Sequence, residues 1–371
     1  MTVKRVVLAI DSLGSGGAQR QMVALARGLV DRGVACTLFN YYPQYDHFRP
    51  DIDALGIPVV DAPKKTRLDW SVPRRLRQTV AEHRAQAVIS FLDTPNVYAV
   101  LSALGRQVRC IVSERSSFVD GRPSRRQALV YQAYRLADAI VANSHFQADL
   151  IAQHFAWARD RVHVVYNGVD TDRFAPGADK VTAASSTVRL LSVGTITAGK
   201  NVLGLIQALK RAVDAGQDIE VHWAGKRPAD EVNRAYAARC DALIAETQLE
   251  SRWHWLGERL DMNETYRQFN GVVHPSFFEG LPNAICEAFA SGQPVLAGAV
   301  CEHPRLVDAP HRGVLFDPTD SADIGDALVR FSRLSLNERR AMGANARRFA
   351  EDELSLPRFA DAYCALLGGV A

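Results

Sequence analysis

Glu279 and Glu287 are the carboxylates best placed for chemistry in this sequence. They lie in the segment 272–297, VVHPSFFEGLPNAICEAFASGQPVLA. A strand pattern ends at His274, a loop carries Glu279-Gly280-Leu281-Pro282, and a helical pattern runs from Asn283 to about Ser291. Pro282 suits the first turn of that helix and Gly292 stops it. A loop carboxylate such as Glu279, beside helix-terminal amides, hydrogen-bonds sugar hydroxyls while the amides hold a phosphate. Glu287, in the helix body, suits ribose hydroxyls. Taken alone, it reads equally well as a residue of a solvated face.

Two other turns could hold a phosphate. In 194–201, GTITAGKN, Lys200 precedes a helix, where an ammonium adds a point charge to the amide end. A lone lysine is otherwise an ordinary surface residue. In 10–21, IDSLGSGGAQRQ, Gly14 and Gly16 open a strand-to-helix turn, but position 19 is Gln, so the G-x-G-x-x-G pattern is incomplete. This disfavours a nicotinamide dehydrogenase and leaves phosphate cradle and plain tight turn equally open. Asp93, Glu114 and Arg115 follow strand patterns at 87–91 and 109–113, and strand carboxyl ends are where open α/β sheets bind ligands. An ordinary loop ion pair is the competing reading.

The elements that must position these residues alternate. Strand patterns at 5–10, 34–39, 87–91, 109–113, 139–142 and 162–165 are separated by helical patterns such as 21–32, 72–84 and 124–137. That rhythm predicts a parallel α/β sheet. The stretch 171–187, rich in Ala, Ser, Thr, Gly and Pro, reads as a linker. The rhythm then restarts with strands at 188–193, 219–224, 252–255, 271–274 and 294–297 and a helix over 201–215. Two α/β domains of similar build follow, 1–170 and 188–352, with a closing helix at about 355–369. The 371-residue length agrees.

The overall charge of +3 is unevenly spread: residues 1–180 carry +7 and the remainder −4. The basic stretches 64–84 and 122–135 combine Lys and Arg with Trp70, Val72, Leu76 and Val80, a pattern suited to an anionic membrane surface or to a solvated helix face. No nucleic-acid module is visible. There is no long apolar run and no signal-peptide pattern. None of the six cysteines forms a CxxC pair, so they read as reduced thiols in a cytoplasmic protein without a metal site.

The 272–297 segment resembles the Glu-x7-Glu signature of retaining GT-B glycosyltransferases, specifically glycosyltransferase family 4. Gly16-Gly17-Ala18 resembles the family's N-terminal glycine loop. Segments 141–147 (VANSHFQ), 166–170 (YNGVD) and 312–318 (RGVLFDP) resemble other family segments, and Gly194 to Lys200 matches its Gly-Arg-x5-Lys spacing. The resemblance implies a GT-B fold, two Rossmann-like parallel α/β domains facing each other across a cleft. The C-terminal domain would bind a nucleotide sugar, and the N-terminal domain, joined by the 355–369 helix, the acceptor.

Residue by residue, it implies that Glu279 contacts the transferred sugar and Glu287 the ribose. Gly280, Leu281, Pro282 and Asn283 would lie at the donor phosphate and sugar, and Gly16 and Gly17 would approach the donor from the first domain. Lys200 would neutralise the leaving diphosphate without a metal or other cofactor. Thr195 stands where the family usually has Arg, so Lys226 or Arg227 would have to supply the second cation. No N-terminal histidine matches the one that many members place near the reacting carbon, which leaves Asp93, Glu114 and Arg115 as acceptor-side candidates.

The implied reaction moves a hexose or N-acetylhexosamine from a nucleotide-diphosphate sugar, UDP- ahead of GDP-, to a hydroxyl of a glycan or lipid-linked acceptor. The implied setting is cell-surface polysaccharide or glycolipid synthesis at the inner face of the plasma membrane. A phosphorylase or nucleotide-sugar 2-epimerase fits the chain length or the Glu279/Glu287 context poorly. Thr195 keeps open a non-catalytic nucleotide-sugar-binding subunit that supports a partner transferase.

Overall fold

Apolar runs between helical segments become parallel strands. In the first unit these are β1 (Arg5–Ala9), β2 (Ala35–Asn40), β3 (Val59–Asp61), β4 (Ala87–Phe91), β5 (Arg109–Glu114), β6 (Ala139–Ala142) and β7 (Val162–Val164). They pair in the order β3-β2-β1-β4-β5-β6-β7, parallel throughout. The second unit repeats the plan with β8 (Val188–Val193), β9 (Ile219–Ala224), β10 (Trp253–Gly257), β11 (Gly271–His274), β12 (Val295–Gly298) and β13 (Gly313–Phe316). Their order is β10-β9-β8-β11-β12-β13, again parallel. The computed structural model describes residues 3–67, 69–115, 118, 121–177 and 187–368. Residues up to Gly168, with those from Leu354 onward, form one unit, and Val169–Glu353 form the other.

Both faces of the first sheet are buried, as an all-parallel sheet requires. Val6 and Leu8 point to a core with Met22, Leu25, Leu29, Phe359 and Tyr363. Val7 and Ala9 point to another with Leu76, Val80, Val100, Tyr131 and Tyr134. The helix Gly17–Val30 starts four residues earlier than its apolar stripe suggests, at the glycine pair itself. It approaches the C-terminal helix Leu356–Leu366 so closely that a Cβ on Gly28 would lie 2.5 Å from Ala360 Cβ.

Three expectations change. The 72–84 pattern is the helix Ser71–Glu82, but its apolar residues Val72, Leu76 and Val80 belong to the core and are not a free membrane face. Trp70 and, on the basic helix Arg125–Tyr134, Leu129 remain exposed. The expected linker is partly built into the second unit: Phe174 is buried against Tyr266, and Arg267 and Arg347 donate to the carbonyls of Ala175 and Thr171 at 2.7 and 2.8 Å. Its residues 178–186 lie outside the described residues. The segment 312–318, taken only as a motif, contains the edge strand β13. Among the described residues, no helix is long and apolar enough to cross a membrane. The six cysteines are free, and burial pushes Cys36 and Cys110 up to about 12.

In each sheet the strand order reverses beside the first strand, between β1 and β4 and between β8 and β11. Loops leaving the carboxyl ends at such a reversal diverge and open a ligand crevice. In the second unit these are the loops that carry Lys200 and Glu279.

Candidate functional site

Gly194 leaves β8 at φ 153°, a conformation that favours glycine. Gly225, just past β9, passes so close that a Cβ there would lie 1.9 Å from the Gly194 carbonyl oxygen. Trp223 Nε1 donates to that same carbonyl at 2.7 Å. Lys200 closes the short turn Ala198–Lys200, and Asn201, in left-handed geometry, donates through its amide to Pro318 O at 2.7 Å before the helix Val202–Asp214. The loop after β11 is tied to this one by the Phe277 amide, which donates to Gly199 O at 3.0 Å.

These fixed loops bring the Lys200 ammonium into a direct ion pair with Glu279 Oε1. The two side chains keep 27% and 16% of their surface exposed, enough for a ligand to reach both. His274, the last residue of β11, is fully enclosed, with Nε2 3.1 Å from the same carboxylate oxygen and 3.2 Å from Ser276 Oγ. Burial holds His274 below its ordinary pKa, so the neutral ring donates Nε2–H to Glu279. For Glu279 the burial penalty is the largest influence and raises its pKa. The His274 hydrogen bond and the Lys200 charge together outweigh it and hold the carboxyl well below its usual range. His303 packs edge-on to His274 at 5.4 Å, and burial, then His274, push it down to about 4.

Glu287 is only 6% exposed, which removes the solvated-face reading. The buried Tyr266 hydroxyl lies 3.1 Å from Glu287 Oε2 and donates to it. Pro282 is the N-cap of the helix Asn283–Ala290, one position earlier than its composition suggests. The N-cap makes no side-chain hydrogen bond to that end, and the Ile285 amide donates to Pro282 O at 3.1 Å. Gly280 and Asn283 are half-buried, while Leu281 and Pro282 are buried. His274, Ser276, Tyr266 and Trp223 escaped notice in the sequence. His274 ends a strand two residues before Ser276 and five before Glu279, and that spacing was their only signal.

Thr195 is exposed. The substitute cations are engaged elsewhere: Lys226 pairs with Glu258 at 3.0 Å, and Arg227 forks onto both Asp241 oxygens at 2.8 and 2.9 Å. Both side chains are held in half-exposed surface ion pairs.

In the first unit, Gly16 is the N-cap and Gly17 the first residue of the helix after β1, with no side-chain cap. Gln19, at the position where the dinucleotide pattern has glycine, instead donates to Asp11 at 2.8 Å. Two acceptor-side candidates prove internal. Glu114 is 2% exposed, accepts from the Tyr134 hydroxyl and lies 3.3 Å from the Asn96 amide. Burial, then the neighbouring Asp93, raise its carboxyl to about 8. Arg115 spends its guanidinium on Asn167 at 3.0 Å, the Tyr363 hydroxyl at 2.8 Å and the Phe91 ring. Only Asp93, half-buried at the start of the helix Asp93–Ala103, stays open.

Two Rossmann-like parallel sheets, with a lysine–glutamate pair at the second sheet's reversal point, define a GT-B glycosyltransferase. Residues 15–173 match the family model Glycosyltransferase Family 4, and residues 187–333 match Glycosyl transferases group 1. The chain belongs to this glycosyltransferase family. It is 26% identical to EpsF of Bacillus subtilis over 90% of its own length and 84% of that protein. It is 29% identical to a D-inositol 3-phosphate glycosyltransferase of Xylanimonas cellulosilytica over 60% of its length, spanning 56% of that relative. The fold matches Anabaena HepE, solved in complex with UDP, with a TM-score of 0.86 at 18% identity, covering 98% of this chain and 99% of HepE.

Proposed function

We propose that the protein transfers a hexose or N-acetylhexosamine from a UDP-sugar to a hydroxyl of a glycan or lipid-linked acceptor, with retention at the anomeric carbon. The Lys200–Glu279 pair carries this reading. A diphosphate leaving group gains negative charge as its bond to the sugar breaks. A fixed ammonium beside the N-terminus of the helix Asn283–Ala290 meets that charge without a metal. Glu279, held ionised, accepts hydrogen bonds from the sugar hydroxyls, and Glu287 accepts from the ribose. The acceptor attacks from the face the diphosphate leaves, and the departing phosphate oxygen takes its proton. HepE's complex with UDP supports the choice of nucleotide.

The basic first half of the chain favours an anionic acceptor or an anionic membrane surface beside it, as in glycolipid or cell-surface polysaccharide assembly. Exposed Trp70 and Leu129 beside arginines support such contact. Sedimentation with anionic vesicles that weakens with salt is the expected result, and no binding at low salt contradicts it.

Nucleotide release from a donor panel, with and without acceptors, followed by NMR of the product, tests the main reading. Release from a UDP-sugar and a product of unchanged anomeric configuration are expected. An inverted product contradicts it. Thr195 in place of the cation favours one second reading, a nucleotide-sugar-binding subunit of a partner transferase, which predicts donor binding without release.

A further inference from the structure

Away from the donor loops, β9 and the edge strand β10 carry a second convergent group of side chains. His222 and His254 are register partners in the parallel ladder. Their rings lie side by side, centroids 4.4 Å apart and 32° from coplanar. Glu220 precedes His222 by two residues and therefore shares its face of the sheet. Its Oε2 lies 3.2 Å from His222 Nε2 and 3.8 Å from His254 Nε2. Both imidazoles thus aim the same nitrogen at one carboxylate oxygen, and one donor atom from each residue falls within 4.8 Å of the others.

We propose that Glu220, His222 and His254 form a binding site for a divalent transition ion of the zinc type. Two imidazoles and one carboxylate match such an ion, whereas magnesium and calcium prefer oxygen alone. The side chains keep 24%, 15% and 36% of their surface, so the ion enters from solvent and water completes its coordination. Phe269 stands edge-on to His222 at 5.0 Å and fixes that ring. Arg189 is the register partner of Glu220 across the β8–β9 ladder, so the carboxylate sits on a strand paired on both sides.

The role is structural. Glu220 and Gly225 are five residues apart along the strand direction, roughly 16 Å, so the ion stays clear of the loops at the strand ends. It clamps the edge strand β10 to β9, where otherwise only one side of the ladder holds it.

The test uses the full-length chain without a polyhistidine tag, stripped with chelator and titrated with Zn2+ alone against a chromophoric competitor. One equivalent bound in the micromolar range or tighter is expected, with a rise in Tm that Mg2+ does not reproduce. His254→Ala and Glu220→Gln are each expected to weaken binding at least about tenfold, the loss already typical of an outer-shell partner. His311→Ala, an exposed histidine outside the group, is expected to bind like wild type. No stoichiometric uptake by wild type overturns the proposal. So does unchanged affinity in His254→Ala and Glu220→Gln, or an equal loss in His311→Ala.

Discussion

Glu114 and Glu279 make an instructive pair. Each stands at or beyond the carboxyl end of a central strand in a parallel sheet, and each is largely enclosed. Yet the two carboxyls move in opposite directions. Burial and Asp93 raise Glu114 to about 8, whereas His274 and Lys200 overcome burial and hold Glu279 below its usual range. The difference is the His274 donor together with an adjacent ammonium, which the reversal of strand order between β8 and β11 brings alongside. Glu114 has an aromatic hydroxyl and an amide as donors instead, and these lower its pKa too little to offset burial and Asp93. Similar sheets therefore hold one carboxyl with a raised pKa and one kept charged.

The sharpest way to break this contrast is to remove the ammonium. Lys200→Ala is expected to cut kcat/KM about 10²–10³-fold, the scale of a lost oxyanion donor, in a nucleotide-release assay. Next comes its neutral supporter. His274→Ala leaves the enclosed carboxylate short of a donor, which costs about 1–3 kcal/mol of either stability or transition-state binding. A Tm measurement beside the kinetics apportions the loss, and His274→Asn is expected to recover part of it. A mere packing role for His274 predicts a Tm change alone.

The Glu114 side of the comparison is read by pH. Its folded pKa lies above the ordinary 4.5, so the folded state binds the extra proton between those values. Its contribution is full below about pH 4.5 and is lost as pH rises through about 8. Denaturant titrations are expected to show stability falling over that window, with Glu114→Gln flattening the fall. An unchanged slope contradicts the assignment. The smallest effect belongs to the exposed pairs. Lys226→Ala and Arg227→Ala are each expected to change stability by less than about 1 kcal/mol and turnover by no more than about twofold. A large loss of turnover would restore them as donor cations.

The twofold strand–glycine–helix rhythm made the α/β build legible, because periodicity and glycine stops are local signals. The edge strands β3 and β13 were not read as strands. Glu279, Glu287 and Lys200 were legible as a motif, but the direct pairing of Lys200 with Glu279 across 79 residues was not. Strand order creates it, and nothing along the chain encodes strand order locally. The same holds for Tyr266 on Glu287 and for Trp223 on the Gly194 carbonyl. Glu114 misled for a related reason. A charged residue at a strand end looks solvent-facing until Tyr134, twenty positions later, is seen to cover it.

The most direct test measures UDP release from a UDP-sugar panel for wild type and Lys200→Ala side by side, with matched Tm values. Release by wild type and a loss of at least about a hundredfold in the variant are predicted. Equal release by the two proteins, or donor binding with no release by wild type under any acceptor, contradicts the account.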